Sequence, residues 1–552
     1  MPRQRISSSA TRRFTVFALA LSALVAVAVL GERNLYDDEI LSLPIITSAP
    51  RAIIRFAAAA DVHPPGMYLL AHFALRLLPS FRWMNLIPIA VLYAGLCWFV
   101  LEFVPLFRRP VSQALFLLLA TLHPQLLLWG TSYRWYSWWT GIALITIVVA
   151  IQPRRSSPFL SYGRSIGIGL LLACLLYLNY ITVLFAVALG VSIALRYRAF
   201  PKRQTLLAVS IISGVFAVAC APQLRILITN QLARSGPQRS GLVSSCAHLV
   251  YATLASEAYL PWHPLALAAA TVLVCALVAA YFEAGKRGVG EQAEGSALSS
   301  LTAFTVCFSL LVAFSGLGGR PRNGLLLVPT FAAVFAYAAS RLSMRIQQAL
   351  LVFLALWSAS GIGHMLLRTG LAKAIMIDRP EQVVSFIRST QTGCSVVVTY
   401  DPLLAFSVSH PRIPGTFLLS AFASPIAEST VLPPECSEPT LYIVHSYIGG
   451  SAESAARIDR ELEAATHFIA GPIQRASFSL DPDAIRKRSL SRFPGFRGDL
   501  DSAARLPDYR YTVIAGPIPA ASLSQLRSQL PHFCTPDQCR NPVSVIPQRS
   551  RN

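Results

Sequence analysis

Repeated apolar stretches of about 16 to 20 residues constrain this chain more than any other feature, because that is the length a helix needs to cross a bilayer. They fall approximately at Phe14–Leu30, Met84–Val104, Val111–Trp129, Trp135–Ile151, Ser165–Leu178, Tyr180–Leu195, Thr205–Ala221, Pro264–Phe282, Leu301–Ser315, Gly324–Ala339 and Gln348–His364. None alternates with the period of two that a membrane β-strand requires. Only 13% of the 552 residues are charged, against roughly 25% in water-soluble domains. The expectation is an all-α polytopic membrane domain of about 11–13 helices.

Charge sets the orientation. The chain carries 47 basic and 26 acidic residues, a net +21, which at first suggests nucleic acid. Many of the cations, however, sit in short junctions between apolar stretches, where they orient a membrane protein and attract anionic lipid; no nucleic-acid partner is expected. Arg3, Arg5, Arg12 and Arg13 place the N-terminus in the cytoplasm, with Phe14–Leu30 as a retained signal-anchor. Counting onward, the clusters Arg108/Arg109, Arg154/Arg155/Arg164, Arg196/Arg198/Lys202/Arg203, Lys286/Arg287 and Arg341/Arg345 are all cytoplasmic if Pro65–Pro79 does not cross. At about 22 Å of helix that stretch is short of a hydrocarbon core of about 30 Å. Residues 1–364 are thus read as the membrane domain, with a first outer loop over 31–64, in the inner (plasma) membrane.

Residues 365–552 change character. Candidate helices at Pro380–Thr390, Ser451–Ala465 and Ala521–Gln529 alternate with β-rich runs at Ser395–Tyr400, Thr440–His445 and Tyr509–Ala515. That pattern predicts a small α/β domain, on the extracytoplasmic (periplasmic) side by the same parity. It holds Cys394, Cys436, Cys534 and Cys539, enough for two disulfides if exported, with Cys534 and Cys539 the first pair to consider.

Four groups carry potential chemistry. Asp37-Asp38-Glu39 opens the first outer loop; Ala49–Ala60 reads as an amphipathic surface helix; Asp61-Val62-His63-Pro64-Pro65 follows. Acidic groups beside a bilayer cost energy unless they pair or work. Tyr133-Arg134-Trp135-Tyr136-Ser137 starts a membrane helix after the His123-Pro124 break, and Gly318-Gly319-Arg320-Pro321-Arg322-Asn323 starts another. Carboxylates serve as a general base or hold a divalent cation, and arginines at a helix start bind phosphate. Trp135, Trp138 and Trp139 fit an aromatic belt at the membrane interface, and His123, His248 and His263 fit structural or interfacial roles.

In order and kind these groups resemble the GT-C superfamily of polytopic glycosyltransferases, in particular glycosyltransferase family 39, with its protein O-mannosyltransferases, and the aminoarabinose transferases. The resemblance rests on Asp38-Glu39, on Asp61-Val62-His63-Pro64-Pro65-Gly66-Met67-Tyr68, on Arg134-Trp135-Tyr136-Ser137 and on Arg320 to Pro329, and it spans Tyr36 to Pro329. It implies transfer of a sugar, with inversion, from a polyprenyl-phosphate donor to an extracytoplasmic protein, lipid or glycan. Asp38 would be the general base, with Glu39 beside it and Asp61 assisting. His63, Arg134, Tyr136, Arg320 and Arg322 would bind substrate, the arginines holding the departing phosphate. A magnesium or manganese ion between Asp38 and Asp61, or no metal, are both compatible with the family. Asp37 is an extra acid beside the pair. Gly66-Met67 stands where members often carry a bulkier apolar residue, and the β-trefoil repeats of eukaryotic members are missing, which points to a bacterial type. A flippase for lipid-linked saccharides and a non-catalytic scaffold are the alternative classes.

Overall fold

In the computed structural model, the described residues are 8–32, 37–59, 63–151, 160–197, 202–228, 242–259, 264–286, 294–319 and 321–366. In the C-terminal part they are 382–391, 393–399, 402–409, 413, 415–420, 438–446, 460, 463–479, 510–519, 521–522 and 525–526. Contacts divide the chain into two compact units. The first contains described residues 8–32 and 63–366. The second contains 37–59 together with the C-terminal part, so the helices of the first outer loop, read from sequence with the membrane domain, group instead with the α/β domain.

The first unit is helical. Among the described residues, seven helices are long and apolar enough to cross a membrane: Arg12–Gly31, Trp83–Leu106, Pro110–Gly130, Arg203–Ile226, Leu265–Phe282, Ala297–Phe314 and Met344–Leu366. Four shorter apolar helices accompany them, Trp135–Ile151, Tyr162–Leu178, Thr182–Arg196 and Leu327–Ala339. Together they account for every apolar stretch read from the sequence. Two of the long helices are mostly uncovered: in their most apolar 18 residues only 17% of Arg203–Ile226 and 28% of Leu265–Phe282 is buried. Side chains such as Leu206, Val218 and Phe282 are exposed. An exterior this apolar is stable in lipid and not in water; the chain is a multi-pass membrane protein. The helix Pro65–Leu77 has 13 residues, about 20 Å.

Small residues let the helices approach. A Cβ at Gly95 would lie 2.1 Å from the carbonyl oxygen of Gly141, and one at Gly141 would lie 2.4 Å from that of Val91. The helices Leu86–Phe103 and Trp135–Ile151 therefore meet backbone to backbone, a packing that membrane helices favour where lipid supplies no hydrophobic drive. Beside this seam Trp139 packs edge-on to Phe185 at 5.4 Å and stacks with Phe308 at 6.1 Å. Its indole N–H donates to Thr182 Oγ1 at 2.8 Å. Trp135, Trp138 and Trp139 are 2%, 5% and 1% exposed, so the aromatic-belt expectation is corrected: these rings fill the interior, and a buried indole N–H needs the partner that Thr182 supplies. Asn179 makes the tight turn between Tyr162–Leu178 and Thr182–Arg196, its Oδ1 accepting from Ile181 N–H at 2.8 Å.

The second unit carries a five-stranded sheet of order β2-β1-β3-β5-β4, where β1 is Ser395–Thr399, β2 Thr416–Ser420, β3 Thr440–Ser446, β4 Gln474–Ser479 and β5 Arg510–Pro517. β1 pairs in parallel with β2 and β3, while β5 runs antiparallel between β3 and β4. Every residue of β1 is buried, as expected of a strand covered on both faces. Val397, Tyr442, Val444 and Val513 face a core with Val383, Ile387 and Leu404. Val396, Val398, Leu441 and Ile443 face another with Ala465, Ile518 and Leu526. The expected strands at 395, 440 and 509 are present; β2, β4 and the helix Pro402–Ser409 are additional. Helix Asp37–Ile46 packs on Pro402–Ser409 and on Pro50–Ala59, the last being the amphipathic segment read from the sequence. Only scattered residues of the expected helices at 451–465 and 521–529 are described.

Cys394 is disulfide-bonded, whereas Cys97, Cys174, Cys220, Cys246, Cys275 and Cys307 are free. Cys436, Cys534 and Cys539 lie outside the described residues.

Candidate functional site

The break at His123-Pro124 starts the site. Pro124 occupies the first helical position, where its missing N–H costs nothing. His123 caps the helix Pro124–Gly130 by accepting Gln125 N–H on Nδ1 at 3.1 Å. That leaves the proton on Nε2, which donates to Thr253 O at 3.1 Å, and the ring sits edge-on to Trp357 at 4.9 Å. His123 is therefore structural, tying three helices together.

One turn on, Ser137 Oγ donates to Gly130 O at 2.7 Å and Ser132 O at 3.2 Å, closing the turn that delivers Arg134 and Tyr136. Arg134 is 5% exposed and Tyr136 2%. Tyr136 packs edge-on to Trp129 at 5.6 Å. The Arg322 guanidinium lies over both rings, 5.2 Å from the centroid of Trp129 and 5.9 Å from that of Tyr136. Each such cation–π contact is worth about 0.5–2 kcal/mol depending on desolvation. The two arginine-bearing turns singled out from sequence thus meet at an aromatic floor.

Sequence reasoning missed the other half of this cluster. Between the long helices Arg203–Ile226 and Leu265–Phe282 lies the helix Leu242–Leu254, followed by a short turn, Glu257–Tyr259. The reason is that LVSSCAHLVYATL places apolar residues at helical spacing. Glu257 Oε2 accepts from Gln125 Nε2 and from Trp129 Nε1, both at 2.6 Å. Gln125 Oε1 in turn accepts Glu257 N–H at 2.8 Å and Ser256 Oγ–H at 3.2 Å. Ser256 has φ +81° and is the only non-glycine with positive φ among the described residues, a conformation costing of order 1–3 kcal/mol. Burial pushes the Glu257 carboxyl above its ordinary value; the hydrogen bonds from Gln125 and Trp129 and the positive charges of Arg322 and His248 partly offset this. A lone glutamate between apolar helices matches no motif; its rarity in so basic a chain was the available signal.

The remaining candidates stand as follows. Glu39 is fully buried and belongs to the second unit, with the helix Asp37–Ile46. His63 is partly buried before Pro64 and Pro65. The side chain of Asp38, and Asp61 and Arg320 altogether, lie outside the described residues. Gly66 has a physical reason for its departure from the bulkier residue of the family pattern: a Cβ there would lie 2.4 Å from Tyr177 O. Among the described residues no group of three or more His, Cys, Asp or Glu could hold a metal ion.

No family model matches the chain, and no curated protein matches it. Solved structures do. The apo structure of ArnT from Cupriavidus metallidurans superposes with a TM-score of 0.51 at 11% identity, covering 92% of this chain and 98% of that one. ArnT from the same organism bound to undecaprenyl phosphate gives 0.50 at 12% identity, covering 91% and 98%. An Archaeoglobus fulgidus oligosaccharyltransferase tethered to an acceptor peptide is a looser match, with a TM-score of 0.36 at 11% identity over 78% of this chain and 69% of that one. Over nearly its whole length, this chain therefore has the fold of ArnT.

Proposed function

We propose that this chain is a membrane glycosyltransferase that moves a sugar from a polyprenyl-phosphate donor to an acceptor outside the cytoplasm. The observation that carries the reading is the Arg322 guanidinium held over Trp129 and Tyr136, with buried Arg134 two residues before Tyr136. A delocalised cation on an aromatic floor binds a phosphate without a strongly hydrated shell to strip. The likeness to ArnT bound to undecaprenyl phosphate supports the choice of donor.

The reaction follows from the residue types. Asp38 takes the proton from the acceptor hydroxyl or amine. The freed electron pair attacks the anomeric carbon from the face opposite the phosphate, the carbon–oxygen bond to phosphate breaks, and the configuration inverts. Charge grows on the departing polyprenyl phosphate, where Arg134, Arg320 and Arg322 stabilise it, an electrostatic effect worth several kcal/mol in such sites. Asp61 orients the acceptor; if a magnesium or manganese ion takes part, Asp38 and Asp61 would be the residues to hold it. Glu39 supports the base and His63 binds substrate. The N-terminus is cytoplasmic and the α/β domain extracytoplasmic in the inner membrane. The disulfide at Cys394 supports that orientation, because such bonds persist in oxidising compartments.

The test is mass spectrometry of envelope glycans from a deletion strain complemented with wild type, Asp38→Asn, Asp61→Asn or Arg322→Ala. Wild type restores a saccharide that is missing from the deletion strain; the variants do not, although they reach the membrane at normal levels. Restoration by both aspartate variants refutes the transferase reading.

A further inference from the structure

We propose that Glu257 is a positioning residue that sets the phosphate-binding arginine, Arg322, by fixing the plane of the Trp129 indole on which Arg322 lies. The proposal rests on the reading of Arg322 as a phosphate ligand and adds a residue, in another segment of the chain, on which that ligand depends.

The geometry forms a short chain of contacts. Trp129 has one hydrogen-bonding group, its indole N–H, and Glu257 Oε2 takes it at 2.6 Å. The same ring presents its face to Arg322 at 5.2 Å. A flat ring has two ways to fail as a platform, rotation about its attachment and tilt. A short bond from its N–H to a fixed acceptor opposes both. The acceptor is fixed: the second bond to Oε2 comes from Gln125, whose carbonyl holds the backbone N–H of the same Glu257 and the hydroxyl of Ser256. Gln125 is anchored through its own N–H to His123. Ser256 alone among the non-glycine residues described has a positive φ, immediately before the carboxyl it delivers; such strain recurs where a side chain must be placed for function. The positive charge of Arg322 favours the ionised Glu257 carboxyl, though burial outweighs it. A carboxyl whose only task was to glue helices together would have no reason to share its partner with a stacked arginine.

The consequence is energetic coupling. Removing the carboxyl frees the Trp129 ring on which Arg322 lies, so the loss appears as weaker phosphate binding and does not add to the loss of Arg322 itself. The experiment uses the full chain purified in nanodiscs, with undecaprenyl phosphate as the probe, in wild type, Glu257→Ala, Glu257→Gln, Arg322→Ala and the Glu257→Ala/Arg322→Ala double variant. Glu257→Ala and Arg322→Ala should each weaken binding about ten-fold, the size of one lost contact to a charged group. The double variant should bind no more weakly than Arg322→Ala. Glu257→Gln, whose amide oxygen still accepts from the indole, should retain more affinity than Glu257→Ala and serves where the alanine variant does not fold. Losses that multiply in the double variant, or a Glu257→Ala variant that binds like wild type, overturn the proposal. A second readout does not depend on the phosphate reading: the rate at which phenylglyoxal modifies Arg322, followed by peptide mass spectrometry. It should rise in Glu257→Ala and stay near wild type in Glu257→Gln. If Arg322→Ala leaves undecaprenyl phosphate binding intact, the phosphate reading has failed and this rate decides alone; an unchanged rate in Glu257→Ala then overturns the positioning role.

Discussion

Alanine at Gly95 is the sharpest test of how the membrane unit is held together. The obstacle is the Gly141 carbonyl oxygen, 2.1 Å from the position of the new Cβ, where ordinary contact begins at 3.4 Å; the shortfall is 1.3 Å (3.4 less 2.1). Two further backbone atoms of Gly141 stand at 2.7 Å, so no side chain can swing aside and the two helices must part. Overpacking of this kind costs about 1–3 kcal/mol, and a backbone obstacle places Gly95→Ala at the upper end. Against that, replacing glycine by alanine inside a helix gains up to about 1 kcal/mol, leaving a net loss of about 2 kcal/mol. Gly190 supplies the control: it too lies within a helix, Thr182–Arg196, but a Cβ there meets nothing within 4 Å. Gly190→Ala should therefore be neutral or slightly stabilising. Thermal unfolding of the purified protein in detergent, followed by intrinsic fluorescence, should give midpoints in the order Gly190→Ala at or above wild type, then Gly95→Ala well below. Equal midpoints for the two variants would refute the backbone-to-backbone seam. The stake extends beyond stability, because the helix Trp135–Ile151 carries Tyr136 at its start.

Three other outcomes follow. Arg322→Lys keeps the charge but loses the guanidinium plane over Trp129 and Tyr136, so undecaprenyl phosphate binding should weaken about ten-fold, measured by titration in nanodiscs; affinity equal to wild type would remove the aromatic floor from the account. Burial raises the Glu257 carboxyl above 4.5, so its contribution to stability is fully present below that pH and is lost as pH rises through the raised folded value. The thermal midpoint of wild type should fall relative to Glu257→Gln as pH rises above 4.5, and parallel profiles would contradict this. Peptide mapping after alkylation without reductant should leave Cys394 unmodified, its label appearing only after reduction; labelling under native conditions would remove the argument for an oxidising compartment.

The sequence reading succeeded where a pattern is local. Apolar stretches of spanning length became helices because lipid permits few other backbone solutions. The His123-Pro124 break and the Arg134-Trp135-Tyr136-Ser137 helix start are also local, since proline and capping act on adjacent residues. It failed where the answer is tertiary. The indoles of Trp135, Trp138 and Trp139 read as interfacial, but packing turns them inward, and Thr182, distant in sequence, satisfies Trp139. β4 reads QRASFS and is mostly exposed at the sheet edge, so it lacks the apolar run that betrays a central strand. The helix Asp37–Ile46 groups with residues more than 350 positions later, which no periodicity reveals. Glu257 became visible only when Gln125 and Trp129 were seen to donate to it.

The most direct test of the central claim is a single-turnover assay with the purified protein in nanodiscs. The protein is supplied with a panel of polyprenyl-phosphate sugars and an envelope extract as acceptor, and free polyprenyl phosphate is measured by mass spectrometry. The account predicts that one donor of the panel releases polyprenyl phosphate only when acceptor is present, and that Asp38→Asn abolishes the release while leaving undecaprenyl phosphate binding intact. Release that is equal in wild type and Asp38→Asn would contradict the account, as would no release from any donor that the protein binds.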